Sequence, residues 1–123
     1  MRLAICSQGE DLASPVDLRF GRCPYFVIVD TGGGEIIKSM PNSGAFASGG
    51  AGSLTTRLLL SEKVDAVVVG NVGPNAATAL QAAGIDVYGG ITGTVKDTLE
   101  LFRQGKLTPI TGATVDSHFG SRQ

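Results

Sequence analysis

Cysteine, histidine and net charge are what this sequence has least of. Its 123 residues include two cysteines, Cys6 and Cys23, and one histidine, His118. There is no C-x-x-C pair and no third or fourth thiol, which excludes a zinc or iron–sulfur site built only from the cysteines of one chain. Cys6 reads as a small buried hydrophobe and Cys23 as an incidental thiol. Ten Lys and Arg stand against eleven Asp and Glu, a formal net charge of −1. No basic field exists to hold a polyphosphate backbone, so nucleic acid is not an expected partner. The start "MRLAICSQGED" turns polar too early for a signal peptide, and no apolar run approaches membrane-spanning length. A cytoplasmic protein with no membrane partner is the expectation.

Catalytic constellations are missing as well. A hydrolytic triad needs a nucleophile, a base and an orienting acid, and the one histidine falls in an aperiodic tail. A two-metal nuclease needs carboxylates on adjacent strands. The first strand carries none, and Asp30 has no evident partner. Asp17 reads as a residue that shapes its turn. No G-x-x-x-x-G-K-[ST] loop occurs, and no G-x-G-x-x-G follows the first strand.

What is present is apolar residues (42%) and 18 glycines, a globular composition rich in tight turns or in backbone brought close to a ligand. "RLAICS" at 2–7 reads as a first strand, followed by a long polar loop over 8–24. "YFVIVD" (25–30), the turn "TGGGE" and "IIKSM" form an antiparallel hairpin. After the small-residue loop 41–53, apolar residues at 51, 54, 58 and 59 share one helical face. "VDAVVVG" (64–70) is a strand covered on both faces. Pro74 opens an Ala-rich helix that Gly84 ends, and "IDVYGG" is a short strand. Thr94 caps a last helix running to Gln104, closed by Gly105. The expectation is one α/β domain over 1–105, a mixed sheet of about five strands with helices on its faces, and a loosely held tail over 106–123.

Ligand loops in such sheets lie at the carboxyl ends of strands. Those ends read "CSQG", "GNVGPNA" and "GGITGTV", and the loop "ASGGAGS" leads into the first helix. Three of these four segments open a helix, so backbone N–H groups and positive dipole ends face one rim suited to an anion. The candidates are Gly49, Gly50, Gly52, Asn71, Gly73, Asn75, Thr92 and Thr94. The same residues also serve as plain turn and cap formers.

Taken together, "SPVDLRFGRCPYFVIVD", "GNVGPNA", "AGIDVYGGITGTV" and the tail "HFG" resemble the dinitrogenase iron–molybdenum cofactor biosynthesis family over nearly the whole chain. The resemblance implies a ribonuclease-H-like α/β fold without nuclease activity. It implies a non-enzymatic carrier for an anionic metal–sulfur cluster, iron–molybdenum or molybdenum–copper, that exchanges cargo with cluster donor or acceptor proteins. In such a carrier Arg19 and Arg22 supply charge, Phe20 an apolar wall, Gly21 a close approach and Cys23 a soft ligand. Carriers directed at nitrogenase commonly place a histidine where Arg19 stands, so this chain departs from them there. V-D-x-x-F-G occurs twice, at 16–21 and 115–120, and the second copy would bring His118 over the same rim as a ligand. Two alternatives remain open: a metal-free regulatory or adaptor protein, and an enzyme acting on a phosphorylated small molecule. A monomer or a weak homodimer through the hairpin suits this surface.

Overall fold

A computed structural model describes residues 1–46 and 51–111. Among the described residues six strands form one mixed sheet: β1 (Arg2–Ser7), β2 (Tyr25–Asp30), β3 (Ile36–Pro41), β4 (Ala66–Val68), β5 (Asp86–Gly89) and β6 (Thr108–Pro109). Three α-helices accompany it among these residues, α1 (Ala51–Ser61), α2 (Pro74–Ala82) and α3 (Val95–Arg103), with a short 3-10 helix at Ser43–Phe46. The strand order is β3-β2-β1-β4-β5-β6. β1, β4 and β5 run parallel, while β2 and β3 form the antiparallel hairpin and β6 closes the far edge antiparallel to β5.

The sheet carries one strand more than the sequence pattern suggested. The additional strand comes from Thr108–Pro109, in the stretch read as tail. Two residues are too short to show a period, and Pro109 fits an edge strand, where its missing N–H costs no ladder bond.

Every residue of β1 from Leu3 to Ser7 is buried, so both faces of the sheet centre are covered. Register sorts the two faces, because directly paired residues point the same way. Ile5, Val68 and Tyr88 lie in one row, and Tyr88 meets Phe102 of α3 edge to face at 5.2 Å. Ala4, Ile28 and Lys38 lie on the other side, where Lys38 pairs with Glu62 just beyond α1 at 2.8 Å. α1 packs on α2 above that face. Among the described residues no helix is long and apolar enough to cross a membrane.

Candidate functional site

The carboxyl ends of β1, β4 and β5 converge on one edge of the sheet, and the polar loop 8–24 folds across them. Backbone bonds stitch it down: Asp17 N donates to Cys6 O, Val16 N to Gly93 O, and Asn71 N to Leu18 O. Arg19 and Asn71 form a parallel bridge, so the first loop and the loop after β4 meet at one point of the rim. Gly70 permits the approach, since a Cβ there would meet Leu18 Cα, Cβ and Cδ2 at 2.7–2.8 Å.

Asp17 is 3% exposed, with its carboxylate turned back on its own loop. Oδ1 accepts from Arg19 N at 2.8 Å and Arg19 Nε at 3.1 Å, and Oδ2 accepts from Arg19 Nη2 at 2.9 Å. Hydrogen bonds from the Arg19 side chain hold the Asp17 carboxyl below its ordinary value, with burial opposing them. The guanidinium is oriented by this fork while its side chain stays 66% exposed. Asp17 therefore shapes its turn, as its place in the sequence suggested.

From Arg19 the chain makes one helical turn, with Arg22 N and Cys23 N both donating to Arg19 O. That turn carries Phe20 and Cys23 inward. Phe20 is 2% exposed and packs edge-on against Phe26 at 5.9 Å, so it supports the rim from beneath and does not form an open wall. The exposed apolar side chain at this point is Leu18, 53% exposed. Cys23 is fully buried, its thiol donating to Phe20 O at 3.4 Å, and in this conformation it presents no sulfur to the rim. Gly21 is half-buried and Arg22 exposed.

At the head of α2, Gly73 is the N-cap with no side-chain cap bond and Pro74 follows. Among the described residues no side chain caps this helix, Pro74 has no N–H, and the Asn75 and Ala76 amides have no partner within it. A Cβ at Gly73 would meet nothing within 4 Å, so the site opens outward. Asn71 and Asn75 are exposed beside it.

The head of α3 is closed instead. Thr94 Oγ1 accepts from Asp97 N, and the Asp97 carboxylate accepts from Thr94 N, forming a capping box. Thr92 exchanges bonds with Thr98 Oγ1. Thr94 is thus occupied by its cap, and a carboxylate already sits in the first turn. The structure brings Arg19, Asn71, Gly73 and Asn75 together, with Thr92 and Thr94 committed elsewhere. Gly52 lies in the first turn of α1. Gly49, Gly50 and His118 lie outside the described residues.

Asn42 is the residue that sequence reasoning missed. It is buried; Nδ2 donates to Cys23 O at 2.9 Å and Gly21 O at 3.3 Å, and Oδ1 accepts from Thr55 Oγ1 and Gly44 N. One amide thus ties the arginine turn to α1. Its only signal was a polar residue after a strand, which a plain turn shares.

A cavity of about 370 Å³ lies elsewhere, between α2 and the β5–β6 edge, lined by Val72, Ala77, Gln81, Asp86, Val87 and Ile110 among others. Among the described residues no lysine, arginine or histidine lines it.

A profile described as dinitrogenase iron-molybdenum cofactor matches residues 1–105. The chain belongs to this family, which relates it to the handling of iron–molybdenum cofactor. An uncharacterized protein of Methanocaldococcus jannaschii is 34% identical over 103 residues, covering 78% of this chain and 87% of its own. The apo form of the orange protein from Desulfovibrio gigas superposes with a TM-score of 0.88 at 34% identity, covering 93% of this chain and 96% of that one. A Thermotoga protein described as NifB superposes with a TM-score of 0.80 at 39% identity, covering 93% and 97%.

Proposed function

We propose that this chain is a non-enzymatic carrier for an anionic metal–sulfur cluster containing molybdenum with iron or copper, exchanged with donor or acceptor proteins. The observation that carries the reading is the Arg19–Asn71 backbone bridge, which brings the turn bearing the Asp17-held guanidinium onto the loop that leads into the head of α2. The outer sulfides of such a cluster are hydrogen-bond acceptors carrying negative charge. Arg19 spends two side-chain N–H donors on Asp17, and among the described residues the other three are left to face a ligand. The amides of Asn75 and Ala76 add donors and the positive end of a helix dipole. Membership in the iron–molybdenum cofactor family and the likeness to the orange protein support the same cargo. Cys23, buried as it is, is no part of this rim in the present conformation. A ribonuclease-H-like layering belongs to the same reading, supported by the order β3-β2-β1-β4-β5 with an antiparallel β2.

The test is anaerobic reconstitution with tetrathiomolybdate, alone and with copper or iron, followed by desalting, metal analysis and a visible spectrum. Retained molybdenum near one cluster per chain, with new charge-transfer bands, is the expected result. Arg19→Ala should weaken retention by about tenfold or more, the loss of a charge-assisted hydrogen bond. A colourless, metal-free protein would contradict the reading.

A further inference from the structure

Asn42 is buried, and its side chain has two ends with different work. Nδ2 serves the arginine turn, donating to Cys23 O at 2.9 Å and to Gly21 O at 3.3 Å. Oδ1 serves the loop that follows, accepting from Gly44 N at 3.2 Å and from Oγ1 of Thr55 at 2.9 Å. Thr55 is itself fully buried on α1, and Asn42 N donates to Pro24 O, so the amide is anchored from both sides. Its direction is fixed by its partners. Turned over, it would set oxygen against two carbonyls and NH2 against the Gly44 N–H.

A carbonyl oxygen is the negative end of a peptide and opposes an anion. Arg19 O accepts from Arg22 N and Cys23 N, and Phe20 O accepts from the Cys23 thiol. The Asn42 NH2 takes the carbonyls of Gly21 and Cys23, so these four oxygens of the turn are all engaged within the protein.

We propose that Asn42 is a positioning residue of the rim: its NH2 holds the Gly21 and Cys23 carbonyls inward, so that the turn meets an anion with its arginines and not with carbonyl oxygen. The inference rests on the reading of this rim as an anion site. A buried carbonyl deprived of its donor is costly. Without the NH2 the turn opens until water reaches Gly21 O, which draws Arg22 N away from Arg19 O and sets an oxygen between the two arginines. Closing the loop between Asn42 and Thr55 needs only the Oδ1 end, which an aspartate also supplies. The NH2 end is needed by the turn alone.

The test compares the full-length wild type with Asn42→Asp, which keeps the acceptor and loses the donors, and with Thr55→Val, which cuts only the loop side. Amide hydrogen exchange is read first, on metal-free protein. Asn42→Asp should free the Arg22 amide, while Thr55→Val leaves it as protected as in the wild type. After reconstitution with tetrathiomolybdate and copper, Asn42→Asp should hold molybdenum about tenfold more weakly, and Thr55→Val as tightly as the wild type. An Arg22 amide equally protected in Asn42→Asp would overturn the proposal. So would unchanged molybdenum affinity in that variant, or an equal loss in Thr55→Val, which would mark a general loss of stability. A wild type that retains no molybdenum contradicts the carrier reading, and the metal-free exchange still decides whether Asn42 holds the turn. Should Asn42→Asp not fold, the wild-type side-chain amides decide: the Asn42 NH2 should exchange with water far more slowly than those of the exposed Asn71 and Asn75, and equal rates would overturn the proposal.

Discussion

Asp17 and Arg19 stand two residues apart, and each fixes what the other can do. A buried carboxylate is costly unless hydrogen-bonded, and Arg19 answers it through its backbone and its side chain. Because the Asp17 carboxyl is lowered by Arg19, its contribution to stability is present above the ordinary carboxylate value and is lost as acid protonates it. Urea midpoints should therefore fall from about pH 4 downward. Asp17→Asn should start less stable and lose less over that range; parallel curves for the two proteins would remove Asp17 from the account. The charges of "DLRFGR" were legible as a candidate site through the family resemblance, which gives Arg19 and Arg22 the role of supplying charge. The inward turn of Phe20 was not legible, since sequence does not tell which way a loop aromatic faces. Asn42 was hidden for another reason: its partners Gly21, Cys23 and Thr55 lie 21, 19 and 13 positions away.

Elements were the most legible level, because periodicity and caps are local. The β2–β3 hairpin, the parallel β4 and β5 with α2 between them, and the Thr94 cap of α3 all follow from patterns within a few residues. β6 does not, since its two residues are held only by pairing with Tyr88 and Gly89. The sequence also leaves α2 and α3 alike as helices opening on one rim. Their heads differ, because Asp97 lies at the third position of α3 and no capping side chain stands before α2. On the proposed reading, that difference moves the anion site to one side of the rim. It makes Gly70 the critical neighbour, for only without a Cβ does the Leu18 backbone come close enough for Arg19 to reach Asn71. Gly70→Ala should destabilise the fold by about 1–3 kcal/mol through overpacking and weaken molybdenum retention as the loop is pushed away. Urea unfolding and reconstitution on the same preparation measure both; unchanged retention would show that the bridge is not part of the site.

At the scale of the molecule, the sheet is buried on both faces at its centre and its parallel strands end together, so the open edge of those ends is where a ligand can be met. The long first loop narrows that edge to one spot, where the arginine turn, the loop after β4 and the head of α2 adjoin. Family membership points to iron–molybdenum cofactor chemistry, and on the proposed reading a sulfide-coated anion would meet at this spot an oriented guanidinium and amides that have no partner within their helix. The most direct measurement is an amide NMR titration of the 15N-labelled chain with tetrathiomolybdate and copper(I) under anaerobic conditions. The account predicts the largest shifts at Arg19, Gly21, Arg22, Asn71, Asn75 and Ala76, with little change at Thr94 and Asp97. Shifts gathered at the α3 head or in the cavity between α2 and β6, with the arginine turn unmoved, would contradict it.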